Sequence, residues 1–309
     1  MDIVGKRAWL LSLSAVLIAV GSIFLIIPPH LNLGIDFVSG TSFTLRFEET
    51  EEATAEDVRV ALGEAGYDDA IVQSVDGGEF FVRTRDLGSE AQADIKRALG
   101  GRWPDGFTIP ETTTVGKSIA EDTVRNSIVA VVVAAVFVMI YIMYAFRTVP
   151  YSYRYAIGAV VALLHDVLVV LGLFAVLGRI INAEVNAIFI VGILTVIGYS
   201  VNDTIVVFDR IRENVKLAPN RPFRATVNQS INESISRSLG TSITTMTVIL
   251  AMLLFGGPTL RDFLIVLLAG VIAGTYSSIF IAAQVLVAWE AGELGRMMRR
   301  LRRPLGARA

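Results

Sequence analysis

Asn186–Phe208 reads NAIFIVGILTVIGYSVNDTIVVF, with Asp203 as its one charged residue. A mostly apolar run of this length is enough to cross a bilayer, which takes about 20 residues. A helix apolar on nearly every side has to be buried in protein or in lipid. The same pattern recurs along the chain, with runs near 8–28, 125–146, 155–178, 186–208, 238–256 and 262–288. Six spans are therefore predicted. The 309 residues are 53% hydrophobic and 18% charged, against roughly 25% charged in a soluble domain. The deficit is local, because charges crowd into residues 46–125 and a few short loops.

Lys6 and Arg7 precede the first run like the start of a signal peptide. The run is long enough to span, however, and Pro28 and Pro29 follow it instead of a small-residue cleavage site, so it reads as an uncleaved span. Basic residues alternate in density between successive loops. Lys6 and Arg7; Arg147 and Arg154; Arg210, Arg212, Lys216, Arg221 and Arg224; and Arg296, Arg299, Arg300, Arg302, Arg303 and Arg308 fall on one side, while the opposite short loops carry only Arg179 and Arg261. The positive-inside bias puts both termini in the cytoplasm and residues 29–124 outside the inner membrane. The expected domains are a first helix over 1–28, an extracytoplasmic domain over 29–124, five helices over 125–290 and a basic tail over 291–309.

The outer segment reads as a small α/β unit. Thr41–Phe47 alternates as a strand, and Thr54–Ala65 is a helix opened by a capping box between Thr54 and Asp57. Ala70–Val75 and Glu79–Arg85 flank a Gly77-Gly78 turn, Ser89–Leu99 is a second helix closed by Gly100-Gly101, and Phe107–Val115 is a last strand. The order βαββαβ is that of a ferredoxin-like sandwich. In Arg221–Arg237, Phe223, Val227, Ile231 and Ile235 recur every four residues after Pro222, which predicts an amphipathic helix lying on the cytoplasmic surface. The Arg296–Arg303 cluster suits either anionic lipid or a plain topology anchor.

Inside a span each polar residue is costly, so the informative residues are Asn202 and Asp203 in span four and Arg237, Thr241 and Thr244 at the start of span five. Thr195, Tyr199 and Asn202 share one helical face with Asp203 beside it. Asp203 and Arg237 lie at similar depth on adjacent antiparallel spans and are expected to pair. The pair reads equally as a static clamp or as a proton relay, because arginine stays charged and protonation of Asp203 would leave it alone. His165 and Asp166 in span three fit a proton shuttle or structural hydrogen bonding. Gly270, Gly274 and Ser278, with Ala269, Ala273 and Ser277, make small-residue faces for close helix packing, as do Gly192 and Gly198, where a hinge is the other reading.

The chain has no cysteine and two histidines, His30 and His165, so thiolate chemistry and disulfides are excluded and no metal site is expected. There is no phosphate-binding loop and no nucleophile elbow. No enzyme activity and no cofactor are expected, and the composition gives no sign of a nucleic-acid partner. Work done by such a chain draws on an ion gradient or on a partner.

Gly34-Ile35-Asp36-Phe37-Val38-Ser39-Gly40-Thr41 resembles the entry motif of the SecD/SecF family of protein-export membrane proteins, with Ser39 where many relatives have a second glycine. Ile197–Asn214 resembles the family's fourth-span signature, and Asn232–Ser238, Thr241–Thr245 and Gly274–Phe280 resemble its last two spans. The resemblance implies membership of the RND superfamily, whose twelve spans form two pseudo-symmetric halves, so six spans are half a machine and a SecD-type chain the other. It implies proton-motive-force-driven movement of unfolded polypeptides alongside the SecYEG channel and SecA, with YajC and YidC as further neighbours and lipid around the bundle. It assigns the relay to Asp203, Arg237 and Thr241, with Asn202, Tyr199, His165 and Asp166 in support. The alternatives are a non-transducing scaffold subunit and half of a small-solute RND exporter. A single outer domain is small for the latter.

Overall fold

The computed structural model describes residues 1–47, 53–75, 78–84, 87, 91–104, 106–257 and 260–292. Gly77 of the expected hairpin turn, Arg85, Ser89 and the Arg296–Arg303 cluster lie outside the described residues.

Six helices are long and apolar enough to cross a membrane. They are α1 (Arg7–Ile26), α5 (Lys117–Ala145), α6 (Ser152–Ile180), α7 (Ala187–Leu217), α8 (Phe223–Phe255) and a sixth formed by α9 (Arg261–Ser277), a π-helical turn (Ser278–Ala282) and α10 (Ala283–Glu290). Helices α6, α7 and α9 hold the interior, where Leu163, Phe174, Phe189 and Ile193 are fully buried. Helices α1 and α5 turn apolar side chains such as Val16 and Phe137 outward, as a helix does when lipid is its solvent.

The expectation of a separate amphipathic helix over 221–237 is corrected. That segment is the first half of α8, which runs without a break for 33 residues. At about 1.5 Å per residue, α8 reaches about 50 Å, well past the ~30 Å of a hydrocarbon core. Its period-four apolar face does not lie on a surface. Val227 and Ile231 are buried in the same apolar core as Phe208 and Ile211 of α7, and Asn214 Nδ2 donates to Ser230 Oγ at 3.0 Å across the seam. The periodicity was that of helix packing.

Between α1 and α5 the chain forms a short helix, α2 (Ile35–Val38), and then β1 (Gly40–Phe47), α3 (Ala55–Glu64), β2 (Ile71–Val75), β3 (Glu79–Thr84), α4 (Ala91–Gly100) and β4 (Phe107–Val115). The sheet is antiparallel with order β2-β3-β1-β4, the arrangement that a βαββαβ chain makes as a split βαβ sandwich. Alternation sends Phe43, Leu45, Phe80 and Val82 to one face, where Val58, Leu62, Ile95, Leu99 and Trp103 cover them. The capping box forms as read: Thr54 Oγ1 accepts from Asp57 N, and Thr54 N donates to Asp57 Oδ2 at 3.2 Å. Hydrogen bonds from Thr54 hold the Asp57 carboxyl below its usual range.

This domain is fastened to the bundle. Leu33 and Val185 form a parallel bridge, with Gly34 N donating to Val185 O and Val185 N to Asn32 O, each at 2.8 Å. Arg83 of β3 lies 3.1 Å from Glu184 in the α6–α7 loop, both side chains nearly buried. It also donates to Leu33 O and Asn32 Oδ1. The contact with Glu184 is purely ionic, since Glu184 Oε1 has no hydrogen-bond partner among the described residues. Asp262 accepts from Glu184 N at 3.0 Å, and Asp36 from Ala187 N at 2.9 Å. The ends of α7 and α9 are thereby tied to the sheet.

Candidate functional site

Where α7 and α8 run side by side, the seam opens into a cleft of about 300 Å³ lined by Tyr199, Asn202, Asp203 and Val206 from α7 and Arg237, Ser238 and Thr241 from α8. Asp203 is 7% exposed, whereas Arg237 and Thr241 sit on the exposed rim. The expected Asp203–Arg237 ion pair is not formed, and among the described residues no salt bridge joins Arg237 at all. The reason is local packing. At this level α8 presents the short side chains Ser238 and Ser242 to the seam, so the helices leave space that neither charged group crosses. Asp203 Oδ2 and Ser238 Oγ are both buried without a hydrogen-bond partner among the described residues. Ser238 is the polar group that faces the Asp203 carboxyl, and a buried carboxylate with no cation beside it is expensive, which makes Asp203 the chemically informative residue of the cleft.

Thr241 spends its hydroxyl on its own helix, donating to Arg237 O at 3.1 Å. Tyr199 reaches across the seam: its hydroxyl donates to Ser242 Oγ at 3.2 Å, which lies 2.6 Å from Thr275 Oγ1 on α9. A file of hydroxyls thus leads from the cleft to the third helix. Thr195 and Thr244 donate to backbone carbonyls of their own helices and line no part of the cleft.

His165 and Asp166 were expected to support this face, but the structure sets them elsewhere. Asp166 Oδ1 lies 3.0 Å from His165 Nδ1, and Asp166 Oδ2 accepts from Ser200 Oγ at 2.6 Å and from Ser277 Oγ at 2.8 Å. The pair joins α6 to α7 and α9 and does not touch the cleft. The physical cause is that α6 packs against α1 and α9, which turns this face of span three away from α8.

The small-residue faces do what their pattern predicts. A Cβ on Gly270 would stand 2.1 Å from Val196 Cγ2, one on Gly274 2.8 Å from Ser200 Cβ, and one on Gly192 2.7 Å from Val266 Cγ1. Ser278 donates to Ser200 O at 3.0 Å and lies 2.7 Å from Thr204 Oγ1. Gly198 is different, with nothing near its Cβ position. Three further features shape the bundle. Gly21 and Gly172 cross so closely that a Cβ on Gly172 would lie 2.6 Å from Gly21 Cα. Ser230, Ser234, Ser238 and Ser242 form a buried period-four stripe along α8, a signal present in the sequence. The π-helical turn beside Ser277 carried no recognisable signal; such turns concentrate near functional sites.

Six apolar helices with charged and hydroxyl groups turned into their seams, and a small α/β domain after the first, define a multi-pass membrane protein built as one half of an RND-type bundle. The family model for the C-terminal region of the protein export membrane proteins SecD/SecF matches residues 99–292, and that of the SecD/SecF GG motif residues 25–51. The chain is 40% identical to protein translocase subunit SecF of Thermobaculum terrenum, covering 97% of each chain. It is 37% identical to that of Anaerolinea thermophila, covering 99% of this chain and all of that one. The crystal structure of SecDF, a translocon-associated membrane protein from Thermus thermophilus, superposes with a TM-score of 0.82 at 34% identity, covering 94% of this chain but 39% of that one. The chain belongs to the SecD/SecF family of protein-export membrane proteins, and within it to the SecF branch.

Proposed function

We propose that the chain is the SecF-type subunit of a protein translocase of the inner membrane, coupling proton movement at Asp203 to the movement of exported polypeptide. The observation that carries this reading is the cleft itself, in which a buried, unpaired carboxylate faces a seam whose rim bears a permanent cation. With Asp203 ionised, attraction to Arg237 draws α7 and α8 together. With Asp203 protonated the attraction vanishes while Arg237 keeps its charge, and the cleft opens. Thr241, one turn beyond Arg237, is the hydroxyl placed to take part when that seam closes. Movement of α7 and α9 would reach the sheet domain through the Arg83–Glu184 joint.

The exposed polar rim of α8, unsuited to lipid, supports assembly with a SecD-type half. So does the relative named SecDF, of whose length this chain covers 34%. The placing of both termini in the cytoplasm rests on the positive-inside bias. That of SecYEG and SecA as the channel, with YajC and YidC nearby, rests on the family resemblance. Arg237 replacements test the coupling in vesicles holding the chain and its partner. Arg237→Lys keeps the charge and loses the planar fork, so it should retain more gradient-stimulated export than Arg237→Ala. Undiminished stimulation in both would remove Arg237 from the mechanism.

A further inference from the structure

Asp166 is 2% exposed and His165 6%. The titratable group facing them from α9 is Tyr276, whose ring stacks on His165 with centroids 6.0 Å apart and whose hydroxyl donates to Leu10 O of α1 at 2.7 Å. From α1 comes Ser14, its Oγ 3.4 Å from Tyr276 OH, and from α7 Ser200, with Asp203 a helical turn further along. Among the described residues no lysine or arginine pairs with either member. With His165 donating from Nδ1 to an ionised Asp166, the cluster carries one uncompensated negative charge inside the bundle. It becomes neutral overall by taking up one proton.

Two atoms stand ready for that proton. His165 Nε2 is buried with no hydrogen-bond partner among the described residues. The Ser277 hydroxyl has two acceptors within reach, Asp166 Oδ2 at 2.8 Å and Gly274 O at 3.2 Å. When Asp166 is ionised, Ser277 donates to it. When Oδ2 takes a proton, a new O–H bond forms there, the Ser277 hydrogen turns to Gly274 O, and Oδ2–H donates to Ser277 Oγ. Asp166 Oδ2 and Ser277 Oγ stay hydrogen-bonded to each other in either state, an arrangement that a purely static clamp does not need.

We propose that Asp166 and His165 form a second protonatable site in the bundle, and that its charge state sets how tightly Ser200 and Ser277 hold α7 and α9 to α6 beside the Asp203 cleft. The role in export rests on the proton-coupled reading above, while the proton chemistry does not. Asp166 is here a positioning residue for Asp203, acting through Ser200.

The chain has two histidines, so His30→Gln leaves a single imidazole to label. With the nitrogen-15-labelled chain assembled with its SecD-type partner in lipid vesicles, His165 is followed by magnetic resonance from about pH 5 to about pH 8, and the Asp166 carboxyl by the infrared band that Asp166→Asn abolishes. The expected result is an imidazolium signal, or a protonated-carboxyl band, that grows as the pH is lowered. Ser277→Ala should shift the transition and move the pH of half-maximal gradient-driven export with it. A neutral His165 with no such band throughout would overturn the proposal, as would a transition that Ser277→Ala leaves in place. If the site titrates but Asp203→Asn still exports with full gradient stimulation, the second site stands and the transport reading falls. If Asp203→Asn abolishes stimulation and His165 and Asp166 never take up a proton, the reverse holds.

Discussion

Ser39 and Gly40 both adopt positive φ, at 62° and 143°, where the chain leaves α2 and enters β1. A Cβ on Gly40 would meet Thr84 O at 2.6 Å, so only glycine fits there. Ser39 tolerates its place with ψ at 163°, a region almost confined to glycine and costing other residues about 1–3 kcal/mol. Ser39→Gly should therefore stabilise the sheet domain by about 1 kcal/mol, whereas Gly40→Ala should destabilise it, both read from denaturant unfolding. A loss of stability in Ser39→Gly would contradict the strain. Glu184 gives a second residue-scale prediction. Burial lifts its carboxyl above the ordinary 4.5, Arg83 pulls it back, and Asp262 and Asp36 add to the lift. A carboxyl raised in the folded protein contributes stability at low pH that is lost as pH climbs through its folded value. The stability of the fold should thus rise as pH falls toward 4.5, the relief of burying the charge outweighing the lost attraction to Arg83, and Glu184→Gln should flatten the pH dependence of the melting temperature relative to the native chain. An unchanged slope would show that Glu184 does not titrate there.

Among the elements, the spans were legible because length and apolarity speak for themselves, and the sheet domain because alternation, a capping box and turn residues agree. The Tyr199, Asn202 and Asp203 face and the Arg237 and Thr241 face were readable from helical period, and they do meet in one cleft. What one helix's sequence does not encode is rotation against its neighbours. That is why His165 and Asp166 fall to another seam, why Asp203 and Arg237 share a cleft without touching, and why the apolar stripe of α8 reads equally well as a helix lying on the cytoplasmic surface. Glycines carry the same lesson. Gly270 and Gly198 look alike in sequence, yet one abuts Val196 and the other open space. Gly270→Leu should cost about 1–3 kcal/mol by overpacking, while Gly198→Ala should change stability by no more than about 0.5 kcal/mol, measured on the purified chain in detergent. Equal effects would mean that the α7–α9 crossing is not as close as described.

On the scale of the whole molecule, a buried site at one seam and a domain strapped to the ends of α7 and α9 form one mechanical unit with a polar rim left over for a partner. Because the chain has no cysteine, Glu64→Cys, on the exposed end of α3, gives a clean topology probe. Membrane-impermeant reagent should label it from outside intact cells and not from the cytoplasmic face of inverted vesicles; the opposite pattern would invert the orientation. In the proposed coupling Asp203 is the group that gains and loses the proton. The decisive experiment compares export rates with and without a proton gradient, in vesicles holding the chain and its SecD-type partner, for Asp203→Asn and for the apolar double replacement Asp203→Leu with Arg237→Met. Asp203→Asn imitates the protonated acid, so the account predicts a folded, assembled complex whose gradient stimulation is lost in both variants. A static clamp would tolerate the apolar pair, because buried ion pairs often exchange neutrally for hydrophobic packing. Full stimulation in either variant would contradict the account.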